Sequence, residues 1–384
     1  MHILVLPSAY PTEDAQIRGS FFKEQAIALN NTNNKVGVVY NETRRITGIS
    51  FNNLKKFHFQ TVREEESGVD TLRLKGWSIF LMRGPLGIEN WIKTTIKLVD
   101  KYIKVNGIPD IIHVHCGLYA GVAAKLLKDK YNIPYVITEH SSQVLNHKLD
   151  EYHKYLIKIA YDNADSLVAV GEKLRSSMKE YTKTSIKVIP NIVNTKNFTV
   201  LENNEDVFRF ISVANLKKSK RVDLTIRAFA EEFKDKENFE LYIVGSGEEL
   251  KNLKTLALEL KVEDKVKFLG TIERRDMPMV LNKAKVFVLP SEFETFGVSY
   301  IEALACGLPI IATKCGGPED FFRDDLGYMI DLNDLEALKK AMRSLSEKIN
   351  EYNREEISNY VKEKFSSELI TKELIELFNE VIGR

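Results

Sequence analysis

Apolar positions along this 384-residue chain gather into short runs separated by segments long enough to be helices. HILVLP, VGVVY, DIIHVH, YVITEH, SLVAVG and IKVIP occur in the first half, and FRFISVA, LYIVG, KVKFLG, KVFVLP and LPIIAT in the second. The runs are rich in Val and Ile and nearly continuous in apolar character, which is the pattern of strands buried on both faces. Their alternation with helix-length segments predicts crossover connections and parallel sheets covered by helices on both sides, an α/β architecture. Residues 191–207, polar and rich in Asn, Thr and Glu, interrupt the alternation and are the expected linker. Length agrees, because 384 residues exceed what one core usually supports. The expected division is a first doubly wound domain at 1–196 and a second at 205–365. From about Glu351 to Arg384 the chain reads as helix with no strand after it.

Composition adds a charge asymmetry. Residues 1–200 hold 27 Lys and Arg against 19 Asp and Glu, a balance of +8, whereas residues 201–384 hold 28 against 35, a balance of −7. A basic first half suits an anionic acceptor or the anionic face of a membrane, with a dispersed solvated surface as the alternative. The best local candidate for peripheral membrane contact is Gly87 to Lys104. There Ile88, Trp91, Ile92, Ile96, Val99 and Ile103 can share one helical face while Lys93, Lys97, Lys101 and Lys104 line the rest. Covering a sheet is the ordinary use of such a helix. No apolar run approaches the roughly 18–20 residues that cross a bilayer, and the start, MHILVLPSAYPTED, lacks the features of a signal peptide, so a cytoplasmic location is expected. Cys116, Cys306 and Cys315 are an odd number without metal-ligand spacing, which favours reduced thiols over a catalytic or metal-binding role.

The candidate chemistry concentrates at a junction. KVFVLP is a strand pattern, SYIEALAC has helical spacing, and the chain turns between them at Glu294 to Gly297. Free N–H groups and the positive end of a helix dipole at such a turn can hold phosphate or a polar sugar edge. Glu294 precedes the helix and Glu302 lies inside it. Two carboxylates so placed can accept hydrogen bonds from hydroxyls at opposite ends of an extended ligand. A glutamate that merely complements a helix dipole is the structural alternative.

Residues 289–319, LPSEFETFGVSYIEALACGLPIIATKCGGPE, resemble the E-x7-E signature of family 4 retaining glycosyltransferases, also called glycosyl transferases group 1. The fixed positions met include Pro290, Ser291, Phe296, Gly297, Ala303, Gly307, Pro309, Gly316 and Gly317. The resemblance implies a GT-B fold, two Rossmann-like domains facing across a cleft, the second binding the donor. It also implies a terminal helix, about residues 366–384, that packs back on the first domain. Glu294 then accepts hydrogen bonds from donor sugar hydroxyls, Glu302 from the ribose, and the backbone at Thr295, Phe296, Gly297 and Val298 faces the diphosphate.

Other motifs extend the resemblance. Y-P followed by G-x-F-x-x-E-Q places Gly19 before a helix, where relatives use it against the donor diphosphate and the acceptor; easing a turn is the alternative. T-x-H puts His140 near the sixth carbon of the donor sugar, while His113 and His115 read as core or acceptor-side. A zinc site among these histidines lacks a further ligand in H-E-x-x-H or C-x-x-C spacing. ANLKKSKRVD matches the segment that clamps the leaving diphosphate, with Lys220 at the family's Lys. Asn215 stands where Arg is common and Arg221 where Gly is usual, so neutralisation falls to Lys220, with Arg221 or Lys218 as helpers. Gly245 and Gly247 resemble the G-x-G turn, and Leu269 lies in the segment whose backbone reads the base in relatives.

The implied activity is a metal-independent hexosyltransferase. It moves a sugar with retention from a nucleoside-diphosphate sugar, UDP-linked by family habit, to a hydroxyl of a glycan, a lipid-linked glycan or a small molecule in polysaccharide or glycoconjugate synthesis. Diphosphate departure is helped by Lys220 and backbone amides, no D-x-D motif appears, and neither a cofactor nor a nucleic-acid partner is expected. Rival readings are a nucleotide-sugar epimerase of the same fold and a non-catalytic nucleotide-sugar-binding protein, the latter favoured by Asn215.

Overall fold

Every apolar run named above becomes a strand in the computed structural model, which describes residues 1–13, 15, 18–49, 55–80, 84–203 and 205–383. Asp14, Gln16 and Ile17 of the first loop, Asn204 of the expected linker and Arg384 lie outside the described residues. The chain divides into two units, residues 1–192 with 370–384, and residues 193–369.

The first unit carries β1 (His2–Pro7), β2 (Lys35–Arg45), β3 (Gln60–Glu66), β4 (Val69–Ser78), β5 (Ile111–His115), β6 (Tyr135–Glu139), β7 (Ser166–Ala169) and β8 (Ile186–Val188). They form one sheet in the order β3-β4-β2-β1-β5-β6-β7-β8. Only β3 against β4 is antiparallel. That hairpin escapes the apolar pattern, because QTVREEE is a largely exposed edge strand with charges in place of apolar residues. At its turn Ser67 (φ 53°) and Gly68 (φ 83°) are both left-handed, as a two-residue hairpin turn demands.

Helices α1 (Ser20–Asn30), α2 (Pro85–Asn106), α3 (Val122–Tyr131), α4 (Ser142–Leu145), α5 (Glu151–Asp162) and α6 (Glu172–Met178) connect these strands. The amphipathic segment 87–104 lies within α2. Ile88, Trp91, Ile92 and Val99 are buried there, Trp91 Nε1 donates to the carbonyl of Asn41 on β2 (3.2 Å), and the Lys93, Lys97, Lys101 and Lys104 side chains face outward. Most of the apolar face is spent on the sheet, with Ile96 and Ile103 half-buried. Among the described residues no helix is long and apolar enough to cross a membrane.

The second unit carries β9 (Phe208–Val213), β10 (Phe239–Val244), β11 (Val266–Gly270), β12 (Val286–Leu289), β13 (Ile310–Thr313) and β14 (Gly327–Ile330), all parallel, in the order β11-β10-β9-β12-β13-β14. Helices α7 (Val222–Phe233), α8 (Leu250–Glu259), α9 (Met277–Asn282), α10 (Val298–Ala305), α11 (Leu335–Lys348) and α12 (Arg354–Phe365) complete it. Counted from β9, the strands run 3-2-1-4-5-6, the doubly wound order in which loops part between strands one and four and leave a crevice at their carboxyl ends. That point lies between β9 and β12. The first unit repeats the scheme, with β1 and β5 at the switch.

Part of the expected linker is packed structure. Val193 and Phe198 are buried, Val193 N–H donates to the Phe365 carbonyl (2.9 Å), and Leu201 N–H donates to Asn282 Oδ1 (2.8 Å), so residues 193–203 belong with the second unit. The last helix, α13 (Ser367–Ile382), sends Ile370, Leu374, Leu377 and Phe378 into the core of the first unit beside Ile3, Val5, Phe22 and Ile189. At roughly 1.5–3 kcal/mol for each side chain of this size buried, that face is sufficient reason for the C-terminus to return.

Candidate active site

Loops leaving β9 and β12 meet at the switch point of the second unit. Lys220 closes a short 3-10 turn, Lys218–Lys220, after β9, and its Nζ lies 2.6 Å from Glu294 Oε1, in the loop after β12. Ser291 Oγ donates to the same carboxylate oxygen (2.8 Å). The Glu294 backbone is pinned as well: its N–H donates to the Cys315 carbonyl (3.2 Å), and its own carbonyl accepts from Gly317 N–H (3.0 Å). Glycine is obligatory at 317, where a Cβ would fall 2.3 Å from the Phe296 carbonyl oxygen. This ties the G-G pair of the signature to the position of Glu294.

Gly297 caps α10 with φ 94°, a left-handed turn that swings the chain from strand into helix, and a Cβ there would meet the Tyr300 ring at 2.8 Å. No side chain caps the helix. Thr295 and Val298 are half-buried, while the Phe296 side chain is core, packed on Phe321 and Phe365. What Phe296 can offer a ligand is its backbone. Glu302, one turn into α10, is buried and ion-paired with Arg274, whose guanidinium lies over the Phe198 ring (4.9 Å to the centroid). Arg274, in the loop after β11, was missed by sequence reading; so was Ser291 as a partner, although it lies within the matched signature.

The other cations of the matched segment differ in availability. Arg221, left-handed at φ 49°, pairs with Asp223 (3.1 Å) and Glu292 (3.6 Å). Lys218 and Asn215 are exposed. Gly245 and Gly247 have a packing reason, since a Cβ at either would strike the carbonyl oxygen of Ala214 (1.9 Å) or Leu216 (2.3 Å) where the loop after β10 crosses the loop after β9. Leu269, near the end of β11, is about a third exposed (36%). Burial and the nearby Glu294 carboxylate push the Cys315 thiol up to about 12. Burial and Glu302 do the same to Cys306, so both are protonated and unreactive.

In the first unit Gly19 caps α1 with φ 73°, and a Cβ there would lie 2.7 Å from the Ala9 carbonyl oxygen, so only glycine fits this turn. His140 follows β6. Its Nε2 is 3.2 Å from His115 Nδ1, and its ring lies against Phe21 and Phe22 (centroids 5.2 and 4.8 Å). His113 Nε2 bonds Thr138 Oγ1 (2.8 Å), which gives it a core role, and Phe22 stacks on His115. Burial holds the imidazoles of His113 and His140 down at about 3 and that of His115 well below its usual value, so all three are neutral near pH 7. Two of them spend ring nitrogens on each other. Among the described residues no group of three or more His, Cys, Asp or Glu is placed to hold a metal ion.

Two doubly wound parallel sheets with ligand-side loops at their switch points are the GT-B architecture of glycosyltransferases. The chain matches two family models that together run from residue 54 to 364: glycosyltransferase family 4 over residues 54–197 and glycosyl transferases group 1 over residues 193–364. It belongs to this glycosyltransferase family. Among curated proteins it is 28% identical to the N-acetyl-alpha-D-glucosaminyl L-malate synthase of Bacillus anthracis, over 71% of this chain and 75% of that one. It is also 28% identical to a probable sucrose-phosphate synthase of Thermosipho melanesiensis, over 74% and 73%. Its fold is similar to that of a sucrose-phosphate synthase from Thermosynechococcus elongatus (TM-score 0.81, 20% identity, both chains covered in full). Anabaena HepE in complex with UDP and glucose is a further structural neighbour (TM-score 0.73, 17% identity, 99% and 100% covered).

Proposed function

We propose that this glycosyltransferase takes its sugar from a nucleoside-diphosphate sugar, UDP-linked, and transfers it with retention to an acceptor hydroxyl in glycoconjugate or polysaccharide synthesis. The observation that carries the reading is the Lys220–Glu294 pair at 2.6 Å, beside the uncapped start of α10 at the β9/β12 switch point. Breaking a glycosidic bond to a diphosphate builds negative charge on the leaving group, and a preorganised cation with helix-start amides stabilises it. Lys220 and the amides of residues 295–298 are assigned to the diphosphate, Glu294 to the hydroxyls of the donor sugar and Glu302 to the ribose. Gly19 and His140, a neutral imidazole, are assigned to the donor as the family resemblance implies. With charge neutralisation met by protein groups, the reaction is read as metal-independent.

Retention follows by front-face transfer, in which a phosphate oxygen of the leaving group takes the acceptor's proton. A double displacement would instead need a nucleophilic carboxylate with a separate acid or base. Relatives support the donor class: HepE was solved with UDP and glucose, and the synthases of sucrose phosphate and of the glucosaminyl malate conjugate join sugars to small molecules by name. The test is incubation with UDP-glucose and a panel of acceptors, with and without EDTA, reading UDP release and the anomeric configuration of the product by NMR. An α-linked product from the α-linked donor, formed equally in EDTA, is expected. An inverted anomer, a requirement for added divalent ion, or an epimerised sugar from donor alone counts against the proposal.

A further inference from the structure

Glu139, the last residue of β6, is wholly buried. Its carboxylate accepts four hydrogen bonds. Oε1 takes the N–H groups of His140 (2.9 Å) and Ser141 (2.8 Å), and Oε2 takes Gly117 N–H (2.9 Å) and the Tyr161 hydroxyl (2.6 Å). One side chain thus grips the chain where it leaves β5 and where it leaves β6.

The first of those exits is strained. Cys116 has φ 65° and Tyr119 has φ 68° with ψ −60°, a γ-turn geometry that side-chain-bearing residues rarely adopt. Such conformations persist only where the surroundings over-determine them, and they cluster at ligand-handling loops. Ser8, leaving β1, supplies the second restraint: its hydroxyl lies 3.1 Å from the carbonyl oxygens of both Cys116 and Leu118. Gly117 has no room for a Cβ, which would lie 2.6 Å from the Tyr161 ring and 3.3 Å from Glu139 Oε2.

We infer that Glu139 is a positioning residue that sets the backbone carrying His140 and holds the Cys116–Tyr119 turn in its strained form, so that the imidazole meets the donor sugar ready-aimed. The contact of His140 with the sugar rests on the function proposed above; the clamp does not.

Glu139→Gln tests it, because an amide turns one acceptor edge into a donor facing the N–H groups it should receive, with little change in volume. Hydrogen exchange on the ligand-free protein is expected to quicken by about tenfold or more at residues 116–121 and 140–145 and to stay unchanged in the second unit. Tyr161→Phe, which removes one donor and spares the charge, is expected to give a smaller rise at the same amides and decides the matter if Glu139→Gln fails to fold. Unchanged local exchange overturns the clamp. In binding assays Glu139→Gln is expected to lose about tenfold or more in affinity for UDP-glucose while its affinity for UDP stays within about twofold, His140→Ala to do the same, and the double variant to lose no more than either. Additive losses overturn action through His140. A wild type without affinity for UDP-glucose, or an unaffected His140→Ala, instead sinks the donor role of His140 and leaves exchange to decide Glu139.

Discussion

Replacing Lys220 by Ala separates a catalytic cation from a structural salt bridge. The Lys220 and Glu294 side chains are 21% and 12% exposed, so after the change Glu294 keeps a mostly buried charge that still accepts from the Ser291 hydroxyl. Loss of one charge-assisted hydrogen bond in such a setting costs about 1.5–3 kcal/mol. In a unit of this size each kcal/mol lowers Tm by about 2–4 °C, which predicts a drop of roughly 3–12 °C by calorimetry. Turnover should fall further than stability implies, by about 10²–10³, because the ammonium is assigned to charge that appears on the diphosphate only as the bond breaks. Glu294→Gln should lose about 10² or more in turnover. The combined variant Lys220→Ala/Glu294→Gln discriminates: neutralising the orphaned carboxylate should restore much of the lost stability while UDP release stays slow. Turnover within about threefold of the parent in either single variant, or its recovery along with Tm in the double, refutes the reasoning and reduces the pair to a packing device.

Further expectations follow from individual positions. Arg274→Met leaves Glu302 buried without its cation and should raise the Kd for UDP by about tenfold, the equivalent of ~1.4 kcal/mol, in titration calorimetry; an unchanged Kd removes Glu302 from the nucleoside site. Gly297→Ala forces a Cβ onto the Tyr300 ring at φ 94° and should cost about 1–3 kcal/mol in urea denaturation, with an unchanged midpoint refuting the strained cap. His113 and His140 are held down at about 3, below the unfolded value near 6.5, so the unfolded chain binds more protons as pH drops. Their contribution is therefore complete above about pH 6.5 and is lost as pH falls towards 3, with each adding up to about 1.4 kcal/mol per pH unit to the slope. A flat urea midpoint between pH 7.5 and 5 contradicts neutral burial.

How far the sequence reveals this molecule depends on whether a feature is local. The strands buried on both faces were legible because each is a short Val- and Ile-rich run. The junction at Glu294 was legible because strand, Gly297 and helix follow one another without interruption. Of the four edge strands, β8 and β11 were legible and two were not: β3 replaces the apolar signal with Glu and Arg, and β14, GYMI, is four residues long. The two units divide at 192/193, inside the expected linker, but polar composition hides single anchors there, and Val193 and Phe198 bind the rest of that stretch to the second unit.

The site divides the same way. Glu294, Glu302 and Lys220 stand in motifs, but the groups that neutralise and aim them are set by tertiary approach. Arg274 reaches Glu302 from the loop after β11, and Glu139 gathers the N–H of Gly117 after β5 and the hydroxyl of Tyr161 on α5, each 22 residues away in the chain. Asn215 shows why this matters for chemistry. Read alone, the missing arginine suggests a weakened diphosphate clamp; in the fold, Arg221 is engaged by Asp223 and Glu292 and Arg274 by Glu302, while Lys220 is the cation that meets Glu294 at the switch point. The burden on that one lysine is then greater than in a site with two clamping cations, and its replacement should be correspondingly more damaging.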